Sequence, residues 1–450
     1  LHKIFKTSGW LLVDKLARLL FGLITMAMIA RHIGPEQFGI WSFAIALTTI
    51  AGGLAVLGLD KVVVKELVSF PARQAMIIST ALSMRIVAGA LSCGICITIV
   101  AITKQQTPVY ILCTVITGLN IILQSFDVFD YLYQAHNEVQ QVIIPKVSVF
   151  ILFCVVKLIF ISLNGSLITF VWLSFTELLI TYVIILAFYL RKNHTDLFSS
   201  FSMEEARRLI VHSWPLMFTG ILVLLYMKSD QLMLDVFGNP VQLGEYAAAA
   251  RISELWYAIP TVISTAILPG LVQKKQADIN QYWSTIEKWL RFSFWSSLLI
   301  ALMMSFIAGK ITGLLYGARY PQSGIILAIH IWANIPVFLC VVIMQHQIVE
   351  GSYKTNLYAT VVGLIINVTI NIFLIPSLGG VGAAISTVAS YLSLWFTLIL
   401  LDRKSGKVLT LARKMLDPVM ALSDFRQVLA SLKIFTESLF TLIREKQFTK

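Results

Sequence analysis

About twelve apolar stretches, each roughly 18 to 28 residues long, run through this chain from Trp10 to Leu401, and charged residues sit inside several of them. A helix rises about 1.5 Å per residue and a bilayer core is about 30 Å thick, so each stretch is long enough to span and most are too long for a soluble core helix. Charges inside hydrocarbon are costly, and where they occur they mark a pathway. That pairing points to a membrane transporter. Composition agrees, because 58% of the residues are hydrophobic and 13% charged, far from the balance of soluble domains. The net charge of +12 would suit nucleic acid, but the bases are scattered through short interhelical loops instead of gathering on one face.

The spans are read as 10–31, 38–60, 76–103, 108–133, 143–163, 166–190, 209–235, 242–272, 289–309, 323–349, 353–375 and 379–401. Lys and Arg number about twenty on the face carrying the N-terminus and about five on the other, so both termini are expected to be cytoplasmic. The first stretch is full length with no small-residue cleavage site after a short core, and is expected to stay as a membrane helix. Cys93, Cys96, Cys113, Cys154 and Cys340 all fall inside spans, where a thiol packs as a small hydrophobe. Cys93 and Cys96 have C-x-x-C spacing but stand mid-helix without a second pair. His346 and Glu350, one turn apart, read as an ordinary polar helix end. Nothing in the pattern calls for a metal or a cofactor.

One internal echo sets the expected architecture. Gly34, Pro35, Phe38, Gly39 and Trp41 follow the first span, and Gly238, Pro240, Leu243, Gly244 and Tyr246 follow the seventh. Trp10 and Trp214 precede these turns at matching distances, giving a spacing of about 204 residues. The halves then read as tandem copies, each with an even number of spans and related by an axis along the membrane normal. The expected organisation is a six-helix bundle over 1–190, a linker at 191–208, a second bundle over 209–401 and a tail over 402–450.

The runs from Ala30 to Gly39 and from Leu243 to Pro260, with the late Asn367, Asn371, Ile375-Pro376 and Gly379 to Ala384, resemble the Wzx-type flippases. These belong to the multidrug/oligosaccharidyl-lipid/polysaccharide (MOP) exporter superfamily, and the resemblance covers residues 1 to about 401. It implies an all-α integral membrane protein with two parallel six-helix repeats around a central cationic cavity, alternating access, and a lateral opening for a lipid tail. The implied cargo is an undecaprenyl-pyrophosphate-linked oligosaccharide, such as an O-antigen unit for lipopolysaccharide, carried to the outer leaflet of a bacterial inner membrane. Membrane lipids, a polysaccharide polymerase and a chain-length regulator are the implied partners, and nucleic acid is not among them.

Such a headgroup needs basic donors inside the bundle, with Arg favoured for forked contacts to phosphate oxygens. Candidates are Lys15, Arg18, Arg85, Lys157, Lys228 and Arg251, with Arg31 at the outer end of the first span. By depth they form a ladder, and Arg18 and Arg251 lie too deep to reach the interface easily. Asp14 before Arg18 and Glu254 after Arg251 offer local pairing, while Asp127, Asp130, Glu177 and Asp230 are candidate coupling or orienting acids. Pro260 and Pro336 read as mid-helix hinges that each remove a backbone hydrogen bond. Gly52, Gly53, Gly89, Gly94, Gly118, Gly220 and Gly363 read as packing positions.

Beyond Leu401, Asp417-Pro418 suits a helix start, and the apolar residues from Leu422 to Leu442 recur at helical spacing. Arg426, Lys433, Arg444 and Lys446 favour an amphipathic helix on the anionic inner leaflet, with docking on cytoplasmic loops as the alternative. Two other functions compete. A multidrug exporter of the same superfamily would want a mainly acidic cavity, and a membrane enzyme would want a long structured outer loop, which this chain lacks. A lipid II flippase usually has two further spans.

Overall fold

The computed structural model describes the backbone of residues 2–192, 200–402 and 405–424, and most of their side chains. The described chain is helical throughout: α1 His2–Val56, α2 Leu59–Ser69, α3 Gln74–Thr103, α4 Pro108–Leu123, α5 Val128–Ala135, α6 Gln140–Ser162, α7 Leu167–Lys192, α8 Met203–Phe237, α9 Pro240–Leu255, α10 Ala258–Ala277, α11 Ile279–Tyr316, α12 Ser323–His330, α13 Asn334–Glu350, α14 Tyr353–Leu378, α15 Gly380–Leu400 and α16 Ser405–Lys414. Eleven helical segments among the described residues are long and apolar enough to cross a membrane. The longest, Ala17–Ser69, would measure about 80 Å if straight, against a bilayer core of about 30 Å. Gly34 breaks it, with φ 84° and ψ 169°, and Pro35 follows at once. Either side of Gly34 is long enough to span.

Both expected hinge prolines lie inside long spans, Pro240–Ala277 and Ser323–Glu350, each just after a break in the regular helix. Pro260 is the third residue of α10 and Pro336 the third of α13. A first-turn N–H has no intrahelical acceptor, so neither proline removes a hydrogen bond. Proline also stands inside α6 at Pro145, α8 at Pro215, α10 at Pro269 and α14 at Pro376. The polar joint is also shorter than expected. Ser202 caps α8 by accepting from the Glu205 N–H at 3.3 Å, so residues from Met203 onward are already helix.

By packing, the chain divides into two compact units, 1–252 with 308–329 and 364–387, and 253–307 with 330–363 and 388–450. Compactness and sequence repetition thus cut the chain along different lines. The whole first half lies in the first unit, and the second half is shared between both.

Within the first unit the two echoing turns meet reciprocally. A Cβ on Gly39 would lie 1.8 Å from the Pro240 carbonyl oxygen, and one on Gly244 would lie 2.0 Å from that of Pro35. Each motif therefore rests its glycine on the other's proline carbonyl. Around this crossing Tyr320 donates to the Ala30 carbonyl at 2.7 Å, and Ser323 donates to the Glu245 carbonyl at 3.0 Å. Burial holds the Tyr320 hydroxyl proton well above the usual tyrosine range, so it remains a donor at physiological pH. Asp235 takes Lys104 and the Tyr110 hydroxyl, each at 2.6 Å.

In the second unit the tail is strapped to one face of α11. Lys407 lies over the Trp283 ring at 4.6 Å, Lys414 reaches Glu287 at 3.7 Å, Asp424 meets Arg291 at 2.9 Å, and Trp295 donates to the Met415 carbonyl at 3.0 Å. Those four α11 positions recur every fourth residue, on one stripe of the helix. Asp417 accepts from the N–H groups of Val419 at 2.9 Å and Met420 at 3.1 Å, as an N-cap does. The tail from Phe425 onward, with Arg426, Lys433, Arg444 and Lys446, lies outside the described residues. His346 is not an ordinary polar helix end. It is 0% exposed, with Nδ1 2.6 Å from the Tyr282 hydroxyl and Nε2 3.5 Å from Asp402.

Candidate functional site

Among the described residues of the first unit, three cavities adjoin one another, and neighbouring ones share lining residues. The most charged, about 270 Å³, is lined by Arg251, Lys157, Glu177, Asn120, Trp41 and Phe150 among others. A second, about 320 Å³, shares Ile45, Thr117 and Asn120 with it and adds Thr48, Thr49 and Gln124. A third, about 430 Å³, shares Gly53, Val56 and Leu224 with the second and is otherwise mostly apolar, with Asp60 and Lys61 on its wall. The series runs from basic through neutral polar to apolar.

The charged end is built by α6, α7 and the end of α9. Lys157 donates to Glu177 at 2.7 Å, which fixes both side chains and compensates one base with one acid. Arg251 is half-buried on the same cavity, which leaves two bases to one acid on its wall. Arg18 stands over the Phe150 ring at 5.1 Å, and that ring lines the cavity.

The remaining predicted bases are not gathered there. Arg85, 2% exposed, donates to the Tyr131 hydroxyl at 2.9 Å and lies over that ring. Arg31 is exposed and donates to the Leu314 carbonyl at 3.3 Å, Lys15 is exposed, and half-buried Lys228 is outside these three cavities. The ladder read from sequence is therefore distributed over several environments. The Asp14 side chain lies outside the described residues, and Glu254 is half-buried in the second unit.

Among the acids, Asp127 and Asp130 share one basic partner on α6. Lys146 bridges them, at 3.1 Å to Asp127 and in a shorter contact to Asp130, while Tyr182 donates to Asp127 at 2.8 Å. Asp230 is buried and accepts from Tyr246 at 2.8 Å, Asn371 at 2.6 Å and Thr387 at 2.6 Å. Asn367 joins it through Asn371 at 3.0 Å and Ser229 at 2.8 Å. A buried carboxylate met by three donors is well satisfied.

The neutral polar lining was missed from sequence. Thr48, Thr117, Asn120 and Gln124 interrupt apolar runs without charge, and such residues equally serve as glue between membrane helices. The glycines also divide. Gly89 and Gly118 are close-packing positions, with Ile121 backbone and Cys93 sulfur at 3.2 and 2.8 Å from a built Cβ. Gly52, Gly53 and Gly220 instead line cavities.

The family model described as "Polysaccharide biosynthesis protein" matches residues 4–275, and the one described as "Lipid II flippase MurJ" matches residues 180–443. The probable low-salt glycan biosynthesis flippase Agl15 of Haloferax volcanii is 25% identical over 219 residues, 48% of this chain and 46% of that relative. The match thus spans about half of either protein. A lipid II flippase MurJ structure in an inward closed conformation has a TM-score of 0.70 at 12% identity, covering 99% of this chain and 100% of that one. An inward-facing multidrug resistance MATE family transporter has a TM-score of 0.69 at 13% identity, covering 88% and 95%. These structures share the fold. The chain is a multi-pass membrane protein that belongs to the polysaccharide biosynthesis protein family.

Proposed function

We propose that this protein moves a polyprenyl-pyrophosphate-linked oligosaccharide, of the kind used for O-antigen and related surface polysaccharides, between the leaflets of a bacterial inner membrane, with both termini cytoplasmic. The observation that carries this reading is the cavity walled by Arg251, Lys157 and Glu177, with Arg18 beside it on Phe150. A doubly negative headgroup crossing hydrocarbon needs charge compensation throughout, and two forked guanidinium donors supply it with geometry suited to phosphate oxygens. Lys157, neutralised by Glu177, holds the wall in shape and adds a third donor. The sequence halves 1–190 and 209–401 are the bodies whose relative motion exposes the cavity in turn, and the reciprocal glycine–proline crossing supports their relation by an approximate two-fold axis.

A cation or drug antiporter shares the fold, but a cationic cargo is disfavoured by a wall with two bases and one acid. The test is glycan export in cells lacking the endogenous flippase. Arg18→Gln and Arg251→Gln should each abolish export while the protein remains inserted and abundant. Full export by both variants would overturn the pyrophosphate assignment.

A further inference from the structure

Arg208 and Asp235 stand at opposite ends of α8, and each ties that helix to the first half of the sequence. The two attachments differ. Arg208 reaches Glu66 of α2 at 2.6 Å, and its own helix offers a second acid, Glu205, at 3.7 Å. Parted from Glu66, the guanidinium still has a carboxylate beside it. Asp235 has no such reserve among the described residues. Its side chain is 0% exposed, and both of its partners belong to the first half: Lys104 at the end of α3 and Tyr110 in the first turn of α4. Aromatic rings complete the enclosure, because the Lys104 ammonium lies 4.9 Å from the centre of the Tyr110 ring and 5.9 Å from that of Phe43 on α1. Those two rings meet edge to face at 5.4 Å. A carboxylate buried in this way is satisfied only while its partners stay, since a bare charge out of water is costly.

Asp235 closely precedes Pro240 in the chain, and Phe43 is one helical turn beyond Gly39, so the acid and its donors stand next to the crossing of the two echoing turns. With the termini cytoplasmic, this is the outer end of the bundle. We propose that Asp235 is the latch of the outer mouth: the cavity of Arg251 stays shut on that side while Asp235 holds Lys104 and Tyr110, and opens there only when both let go. The latch rests on the transport function proposed above and adds the residues that control release to the outer side. It has two states instead of a continuum. Closed, the acid and the base compensate each other; fully open, water solvates each separately; half-parted, they are neither paired nor hydrated. The inner attachment carries a smaller penalty, because Arg208 keeps Glu205 when Glu66 leaves. That asymmetry favours opening inward first, which is the order that a cargo made in the cytoplasm needs.

The test uses the full-length protein in right-side-out membrane vesicles, in a background carrying Cys93→Ala, Cys96→Ala, Cys113→Ala and Cys340→Ala. The remaining Cys154 lines the cavity of Arg251 and reports when that cavity is reached from outside. The probe is an anionic, membrane-impermeant thiosulfonate added to the outer side. The readout needs no cargo, so it does not depend on what the cargo is. Asp235→Asn keeps an acceptor for Tyr110 and discards the ion pair. The minor form of a two-state protein is about 0.1–10% populated, so loosening the latch should raise the rate of Cys154 labelling about tenfold. Lys104→Met should do the same and carries the test if Asp235→Asn folds poorly. Lys104→Arg keeps the charge and should label at the background rate, and Arg208→Gln should leave outer labelling unchanged. Equal labelling in the background, Asp235→Asn and Lys104→Met overturns the latch. An equal rise in Arg208→Gln also overturns it, because any loosening of α8 would then open the mouth. Glycan export by the unsubstituted protein is measured beside it, and its absence together with the expected labelling overturns the function proposed above while upholding the latch.

Discussion

At Gly39 and Gly244 the backbone of one turn rests on a proline carbonyl of the other, so a methyl group there would overlap main-chain atoms. At Gly94 and Gly220 a methyl group would meet nothing within 4 Å. Gly94 and Gly220 lie within apolar runs, whereas Gly39 and Gly244 belong to the two echoing turns. The first pair brings two helix ends together at the crossing, and the second pair leaves helix surfaces bare. A glycine in a membrane helix is therefore informative only once its neighbour is known. The crossing tolerates no substitution because backbone cannot move aside cheaply, whereas a bare surface accepts what fits.

The sharpest way to break this comparison is alanine at the crossing. Gly39→Ala or Gly244→Ala should abolish export and lower the amount of folded protein, read by complementation and by fluorescence-detected size exclusion. Normal export by both would mean that the crossing is loose. A smaller effect is expected in the cavity wall. Lys157→Met leaves Glu177 buried without its partner and should cost about 3–5 kcal/mol of stability. Adding Glu177→Met should recover most of the melting temperature of the purified protein without recovering export. If the double variant exports normally, the pair acts only in packing. The smallest effect belongs to Gly94→Ala, which replaces a mid-helix glycine where there is room. It should leave export unchanged and stabilise by about 0.5–1 kcal/mol, seen as a modest rise in melting temperature. A loss of stability there would show that α3 packs more closely than its exposed Gly94 indicates.

Hydropathy made the spans legible, because about 20 consecutive apolar residues match the thickness of a bilayer core and exceed what a soluble core buries in one helix. The Gly34-Pro35 break was legible for a related reason, as both residues punctuate helices. Partnerships between helices were not. Lys157 and Glu177 stand on α6 and α7, and nothing in either stretch names the other. Lys146 stands on α6 and pairs with Asp127 and Asp130 before it in the chain, a pairing that hydropathy does not show. Pro260 and Pro336 lie inside apolar runs, and only the helix boundaries show that each opens a helix. His346 reads as a plain helix end because Tyr282 and Asp402, which bury it, are far away in sequence. Arg251 draws attention in sequence as a deep arginine and lines a cavity, while Thr48, Asn120 and Gln124 on the adjoining walls carry no charge to draw attention.

The break at Gly34 also bears on how the protein is made. Between the two spans of α1 there is no hydrophilic loop, since helix continues to His32 and Ile33 and resumes from Pro35 with one left-handed glycine between. Insertion machinery has only the short stretch from Arg31 to Gln37 to carry across before the second of these spans emerges from the ribosome. The two spans of α1 can therefore enter the bilayer together as a helical hairpin, with the polar residues Arg31, His32, Glu36 and Gln37 crossing as its tip.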